Sequence, residues 1–398
     1  MGGLLFLLTG SSASAKPQIT PIINLEVYGG QTRFNGDKGS FYGNGSWSLA
    51  PVLSFGDKTT LIPSYSGLIR RTVMVQELVG GSLLTQSEQD HNFNLTAIHR
   101  INNSPWKAKA RIGFKRELIR ESNDEGWGDG LFDNDKTVAG FEFEREGGKV
   151  RSFRTGLEYF YLRYPNFQSL ASQEFGTEIS GGKDVLDLDA LDWLTSVDLL
   201  PSKKNIISLS FLLSPRYYRD AKVVEDTGLF SDKKRRDWYY WAAGNAQHLF
   251  NPASLFKTKF ENTVGFYTSL ALNKSNQNNM DAAQTQFNRD YYSYTEWAAG
   301  PRFNTKIADK WDVGFGYTFS QRLYANRPLQ SKEGTYVSGK VNTEVQLYSF
   351  DLAYLLTKSF SINTSVAYQV AKSNQKYEKT YQYNYDSSHY FLGFSYSY

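Results

Sequence analysis

The chain has 398 residues, 16% of them aromatic, and its 44 Lys and Arg against 40 Asp and Glu leave a net charge of +4. That balance is too even to point to a nucleic-acid partner, and the absence of Cys excludes disulfides and thiolate metal sites. A mean hydropathy of -0.49, with no long apolar run after the first eight residues, excludes spanning helices, which need about 20 consecutive apolar residues. It does not exclude strands that cross a bilayer with only every second residue apolar.

Leu4-Leu5-Phe6-Leu7-Leu8 is a short apolar stretch, and Ala13-Ser14-Ala15 is an A-x-A cleavage pattern before Lys16-Pro17. Residues 1 to 15 are therefore expected to be the end of a secretory signal peptide. Because no Lys or Arg precedes the apolar stretch, the natural start is expected upstream of Met1; the alternative is a short apolar N-terminal strand. There is no lipobox Cys for a lipoprotein anchor. Residues 16 to 398 are expected to form one domain.

Period-two alternation marks a half-buried strand, and it recurs sixteen times along the chain. The first four strands are centred on Ile23-Leu25-Val27, Trp47-Leu49-Pro51-Leu53-Phe55, Leu61-Pro63-Tyr65-Gly67-Ile69 and Phe93-Leu95-Ala97. In the fifth, Trp106, Ala108, Ala110, Ile112 and Phe114 alternate with Lys107, Lys109, Arg111, Gly113 and Lys115. Ala139-Phe141-Phe143, Phe153 to Tyr161, Leu191 to Leu199 and Ile207 to Leu213 follow. The tenth strand, around Tyr239 to Phe250, is ambiguous in its facing. The last six are Phe256 to Leu270, Tyr291 to Phe303, Trp311 to Phe319, Tyr348 to Tyr354, Phe360 to Tyr368 and Tyr390 to Tyr398.

Short connections rich in Gly, Asn, Asp and Pro, such as Gly56-Asp57-Lys58, Gly147-Gly148 and Ala308-Asp309-Lys310, alternate with connections of roughly 15 to 20 residues, such as 74 to 90, 219 to 235 and 325 to 340. Phe55, Trp106, Phe250, Phe256, Trp311 and Phe360 lie next to short turns on the apolar parity, as an interfacial girdle does. A soluble sandwich should show turns every 8 to 12 residues instead. The expected fold is thus all-β, a closed antiparallel transmembrane barrel of sixteen strands. Fourteen or eighteen are the alternatives, since strands 1, 10 and 14 are weakly patterned. An even count with short periplasmic turns and long extracellular loops puts both termini in the periplasm.

The chain ends on Tyr390, Leu392, Phe394, Tyr396 and Tyr398 at alternate positions. This resembles the C-terminal assembly signal of bacterial outer-membrane β-barrel proteins, and sixteen strands is similar to the general porins, although no porin motif occurs elsewhere. The resemblance implies an outer-membrane location and recognition of the last strand by the outer-membrane assembly machinery. TonB-dependent transporters, two-partner secretion pores and barrel assembly factors carry plugs or periplasmic domains, for which the residues before strand 1 leave no room.

His91, His99, His248 and His389 show no ligand spacing, so neither a metal site nor any other cofactor is expected. No G-x-S-x-G nucleophile motif is present, which argues against a wall-mounted hydrolase. The acidic connection from Glu121 to Asp135 is expected to be a solvated loop rather than a Ca²⁺ site, because its order does not match a D-x-[DN]-x-[DN]-G loop. Reading opposite the apolar parity puts Arg100, Lys107, Lys109, Arg111, Lys115, Arg154, Lys257, Lys259, Arg302 and Arg322 in the lumen. Glu117, Glu142, Glu144, Glu158, Asp192, Asp198, Glu261, Glu296, Asp312 and Asp351 join them.

So many charges require a wet or salt-bridged interior. The bases near the short turns form a collar that favours anions unless they pair with the acids. The leading expectation is a porin-like channel for small hydrophilic solutes with a mild anion preference. The alternative is a non-conducting anchor for another envelope or surface protein. Expected partners are outer-membrane lipid, lipopolysaccharide and the assembly machinery, with further copies of the chain or a surface protein as a protein partner.

Overall fold

The computed structural model describes residues 18–36, 41–75, 83–120, 125–167, 184–255, 258–281, 285–378 and 383–398. Residues 1 to 15, Phe256 and Lys257 lie outside them. Nineteen hydrogen-bonded segments form one sheet. Three are short additions: Val52–Phe55 continues the second strand past a break, and Gln18–Thr20 and Ala253–Leu255 are rim segments. Sixteen wall strands remain, the number the alternation gives.

The wall runs through β1 (Ile23–Phe34), β2 (Phe41–Leu49, continued by Val52–Phe55), β3 (Thr59–Val75), β4 (Leu83–Arg100), β5 (Trp106–Arg120) and β6 (Asn134–Glu146). It continues through β7 (Val150–Arg163), β8 (Leu188–Ser202), β9 (Asn205–Val224), β10 (Phe230–Leu249) and β11 (Thr258–Ser275). The last five strands are β12 (Tyr294–Ile307), β13 (Trp311–Gln330), β14 (Tyr336–Leu355), β15 (Phe360–Ser373) and β16 (Tyr385–Ser397). Each strand pairs antiparallel with its chain neighbour. The sheet closes where β16 lies on β1, from Asn24 opposite Ser397 to Phe34 opposite Ser387. Ile23 and Tyr398 exchange both backbone hydrogen bonds at 2.9 Å, sealing one end of that seam.

The outer face carries what a soluble protein would bury. Leu209, Phe266, Phe315 and Leu392 are all exposed, Leu392 by 60%, as a wall facing hydrocarbon requires. Trp47 lies flat across Gly67 of the neighbouring strand, where a Cβ would stand 2.2 Å from the indole; only glycine leaves that space.

Two features depart from the expectation. Pro51 has no N–H to give the ladder, so β2 breaks there, and its lower piece pairs with an unforeseen segment, Gln18 opposite Ser54. Several connections expected as long loops are instead strands that continue. β9, β10, β13 and β14 are 20 residues each, against the 9–11 or so that a bilayer needs. Only residues 225–229 and 331–335 turn between them. Pairing satisfies the backbone above the bilayer as it does within it, so the ladder has no reason to stop at the membrane surface. At the opposite rim Ala308 and Asp309 both have positive φ, 51° and 56°, as a tight type I′ hairpin demands.

The alternation makes a paired test. Leu209→Arg, on the outer face, is expected to destabilise the barrel by about 2–4 kcal/mol, whereas Ser210→Arg, one residue on, is expected to leave its stability nearly unchanged. Denaturant unfolding in lipid vesicles measures both, and equal losses would mean that the facing is wrong.

Candidate functional site

The interior is built from the parity opposite the apolar face, and its two sides differ. On β4 to β8 the bases and acids interlock. Lys109 Nζ lies 2.8 Å from both Glu142 and Glu144, Lys107 lies 2.7 Å from Glu146, and Lys115 bridges Asp90 at 3.0 Å and Glu117 at 2.9 Å. Arg111 pairs with Glu158, and Arg154 approaches Asp198 to 3.8 Å. Asp198 also accepts from Ser152 and Ser208. Lys109 lies directly opposite Glu142 on the adjacent strand, close enough for side chains to meet without stretching, while Arg111 reaches Glu158 two strands away.

Of the ten expected lumen bases, Lys107, Lys109, Arg111, Lys115 and Arg154 are thus paired. Lys259 is paired too, with Glu261 and, at 3.8 Å, Asp309. Arg100 and Arg302 make no ion pair among the described residues, and Lys257 lies outside those residues. Arg322 is held 2.6 Å from Glu296. Glu88, Asp90 and Glu117 bring carboxylate oxygens within 4.8 Å of one another. Arg70, 2.7 Å from Glu88, and Lys115 already occupy that acidic corner.

The other side of the interior, β10 to β15 with Tyr28 of β1, is lined by Asn, Gln, Ser, Thr and Gly around a cavity of about 540 Å³. Glycine makes part of this space. Arg302 has Gly265 opposite it on one neighbouring strand and Gly316 on the other, so its exposed guanidinium stands between two positions without side chains. The acids of this cavity are engaged by neutral donors: Asn304 donates to Asp312 and Ser365 to Asp351, the latter at 2.8 Å.

At the rim of the long connections the expectation of a solvated acidic loop is corrected at Asp133; Asp129 is exposed, and Glu121 and Asp124 lie outside the described residues. Asp133 is 2% exposed; its Oδ1 accepts the Ile119 N–H at 2.6 Å, and Asn166 donates to Gly128 and Gly130 backbone oxygens, clamping two connections together. Phe132, Ile119 and Phe167 form a small apolar core at this clamp. The carboxylate is buried because it terminates backbone groups that the turn leaves free. Burial pushes the phenol of Tyr164, packed against that apolar core, up to about 12.

Sequence reasoning missed the rim's Arg–Tyr contacts. Arg235 lies 4.3 Å and 4.5 Å from the Tyr218 and Tyr292 rings and 2.6 Å from Asp237. Lys136, 3.9 Å from the Phe160 ring, and Arg216 were missed as well. All lie on the inward parity of strands whose expected ends fell a few residues short, and carrying the alternation further would have found them. At the C-terminus Tyr390, Leu392, Phe394 and Tyr396 face outward, Phe394 stacking on Phe360 at 5.6 Å.

A closed, sixteen-stranded antiparallel barrel with an apolar outside and a polar, charged inside defines a transmembrane barrel of the bacterial outer-membrane class. Solved structures similar to it over nearly its whole length are outer-membrane proteins. OmpT of Vibrio cholerae, folded in vitro, has a TM-score of 0.49 at 10% identity, covering 97% of this chain and 99% of that one. The anion-selective porin from Comamonas acidovorans gives 0.44 at 9%, covering 96% and 100%. A FadL homologue of Pseudomonas aeruginosa gives 0.37 at 7%, covering 95% and 90%. No protein-family model and no curated protein sequence matches the chain.

Asp133→Ala removes the acceptor at the clamp and is expected to cost that rim about 1–3 kcal/mol without loosening the membrane-spanning wall. Limited proteolysis in vesicles should cut the connections 121–133 and 164–187 faster while the heat-modifiable barrel survives. Unchanged cleavage would show that the clamp does not hold them.

Proposed function

We propose that the barrel is a channel for passive diffusion of small hydrophilic solutes across the outer membrane, with a mild preference for anions. What supports this most is the 540 Å³ polar cavity, lined from seven of the strands and carrying Arg302, a cation with no ion pair among the described residues. A wall of hydroxyls, amides and glycines offers hydrogen bonds to a passing solute without holding it tightly. The preference is mild because most of the other lumen bases are neutralised by neighbouring acids, and a paired charge attracts ions far less than a free one. The same pairing is what favours the second reading, a non-conducting anchor for an envelope or surface protein.

On the channel proposal the short turns and both termini lie in the periplasm, and the tall hairpins face outward among lipopolysaccharide. The terminal Tyr390, Leu392, Phe394, Tyr396 and Tyr398 are read by the assembly machinery. No residue is assigned a catalytic role.

Planar-bilayer recording of the purified protein decides between channel and anchor: discrete conductance steps are expected, and a silent membrane containing folded barrel would favour the anchor. In a salt gradient Arg302→Glu should move the reversal potential towards cations, because it exchanges an unpaired positive charge for a negative one. No movement would remove Arg302 from the conducting path. Tyr398→Asp, at the seam where β16 closes on β1, should abolish insertion, since an unpaired edge in lipid is costly; normal heat-modifiable protein in the membrane would refute the role of that strand.

A further inference from the structure

A second cavity, of about 490 Å³, lies on the inner wall of β5 to β9 beneath the clamped connections. Three of its lining residues are cations, Lys115, Lys136 and Arg216, and one is an acid, Glu117. Lys115 and Glu117 satisfy each other at 2.9 Å. The other two cations have no such partner. Among the described residues no carboxylate is in ion-pair contact with Lys136. Its ammonium instead sits 3.9 Å above the Phe160 ring, with Arg111, Lys115 and Arg216 pressing on it as like charges and Asp192 as the strongest opposite one. Among the described residues Arg216 likewise makes no ion pair; its Nε reaches Ser214 Oγ at 3.4 Å, and its guanidinium rests 4.8 Å from the Tyr239 ring.

Apart from Asn134, whose amide donates to the Phe132 backbone oxygen, the rest of the lining is largely apolar. Phe160, Leu162, Leu188 and Phe132 contribute, with the neutral Tyr164 phenol at the edge. Two cations with no ion-pair contact among the described residues, beside a largely apolar pocket, are complementary to a ligand with one anionic head and a compact hydrophobic body. An isolated charge in such a place is costly and an incoming anion relieves it. Apolar walls with a few converging polar groups, in a volume of this order, are the ordinary make-up of a small-molecule site.

We infer that this cavity is a binding subsite for small hydrophobic monocarboxylates, the carboxylate held between Lys136 and Arg216 and the ring or branched chain packed against Phe160, Leu162 and Leu188. It goes beyond the channel proposal, because it requires recognition of an apolar body, which a merely polar pore does not provide. Neither cation is needed to close the wall.

Benzoate is the probe, with benzyl alcohol as the neutral body without the charge and acetate as the charge without the body. Equilibrium dialysis of the barrel in lipid nanodiscs should give saturable benzoate binding, with both controls at least roughly tenfold weaker. Lys136→Gln and Arg216→Gln should each weaken benzoate about tenfold, Lys136→Arg should retain most of it, and Lys203→Gln, in a turn of the opposite rim, should change nothing. Heat-modifiability confirms that each variant is folded. Benzoate binding no tighter than that of benzyl alcohol or acetate, or binding indifferent to both cation variants, would overturn the subsite, as would equal affinity for inorganic phosphate. Conductance without benzoate binding would leave the channel and remove the subsite. Benzoate binding without conductance would leave the subsite and remove the channel.

Discussion

In hydrocarbon there is no water to satisfy a backbone amide, so every N–H and C=O of a spanning segment must find a partner within the protein. The seam between β1 and β16 is where this chain meets that demand, because it turns a sheet with two open edges into a wall with none. Closure also dictates the rest of the design. Each strand shows alternate side chains to lipid and to the interior, so an apolar outside obliges an independent choice of inside, and here that choice is polar. The described buried hydrophobic clusters, around Phe132 and around Phe160, accordingly lie near the rim of the long connections rather than at mid-wall.

With the interior polar, its electrostatics are governed by register. An antiparallel ladder places residues on neighbouring strands side by side, and Lys109 opposite Glu142, or Glu158 one strand further from Arg111, follow from that spacing. Pairing of this kind steadies a charged wall but spends its field locally. The few cations outside the ladder therefore matter more than their number suggests: Arg302 between two glycines, and Lys136 with Arg216 beneath the clamp. One side of the interior is lined mainly by Asn, Ser, Thr and Gly around Arg302, Asp312 and Asp351, and the other is densely charged but largely compensated.

Most of this architecture was legible in the sequence because period two is a direct trace of a wall with two unlike faces. Sixteen alternating segments became sixteen strands, and the parity that sends Lys107, Lys109 and Arg111 to one face and Trp106, Ala108 and Ile112 to the other follows from a single register. What was not legible depends on distance through space. The partner of Lys109 sits 33 and 35 residues along the chain, and alternation shows that acids share the interior without saying which base each one meets. The ends of strands were hidden for a different reason. Above the bilayer both faces meet water, apolar alternation fades, and the ladder of β9 or β14 continues unannounced, so Lys136 and Arg216 fell outside the expected strands. Gln18–Thr20 was invisible because so short an edge segment carries too few residues to show a period, and its existence depends on the break that Pro51 makes in a distant strand.

The uneven height of the wall ties these elements together. β1 has 12 residues and β9, β10, β13 and β14 have 20, so separate hairpins rise above the rest of the rim, and the subsite beneath the clamp uses one of these tall strands, β9, for Arg216. A solute entering over this rim would meet Lys136 and Arg216 before it reached the compensated ladder or the cavity that holds Arg302. For passage, binding at such a point must be favourable enough to concentrate the solute and weak enough to release it. Two features keep it weak. Lys115 and Glu117 already neutralise each other and leave only two cations to act, and Asp192 offsets part of the field at Lys136. An apolar body adds affinity in proportion to the area it buries, about 25 cal/mol per Å², so the pocket would discriminate among anions by their hydrophobic surface while the charge it shares with the lumen stays modest.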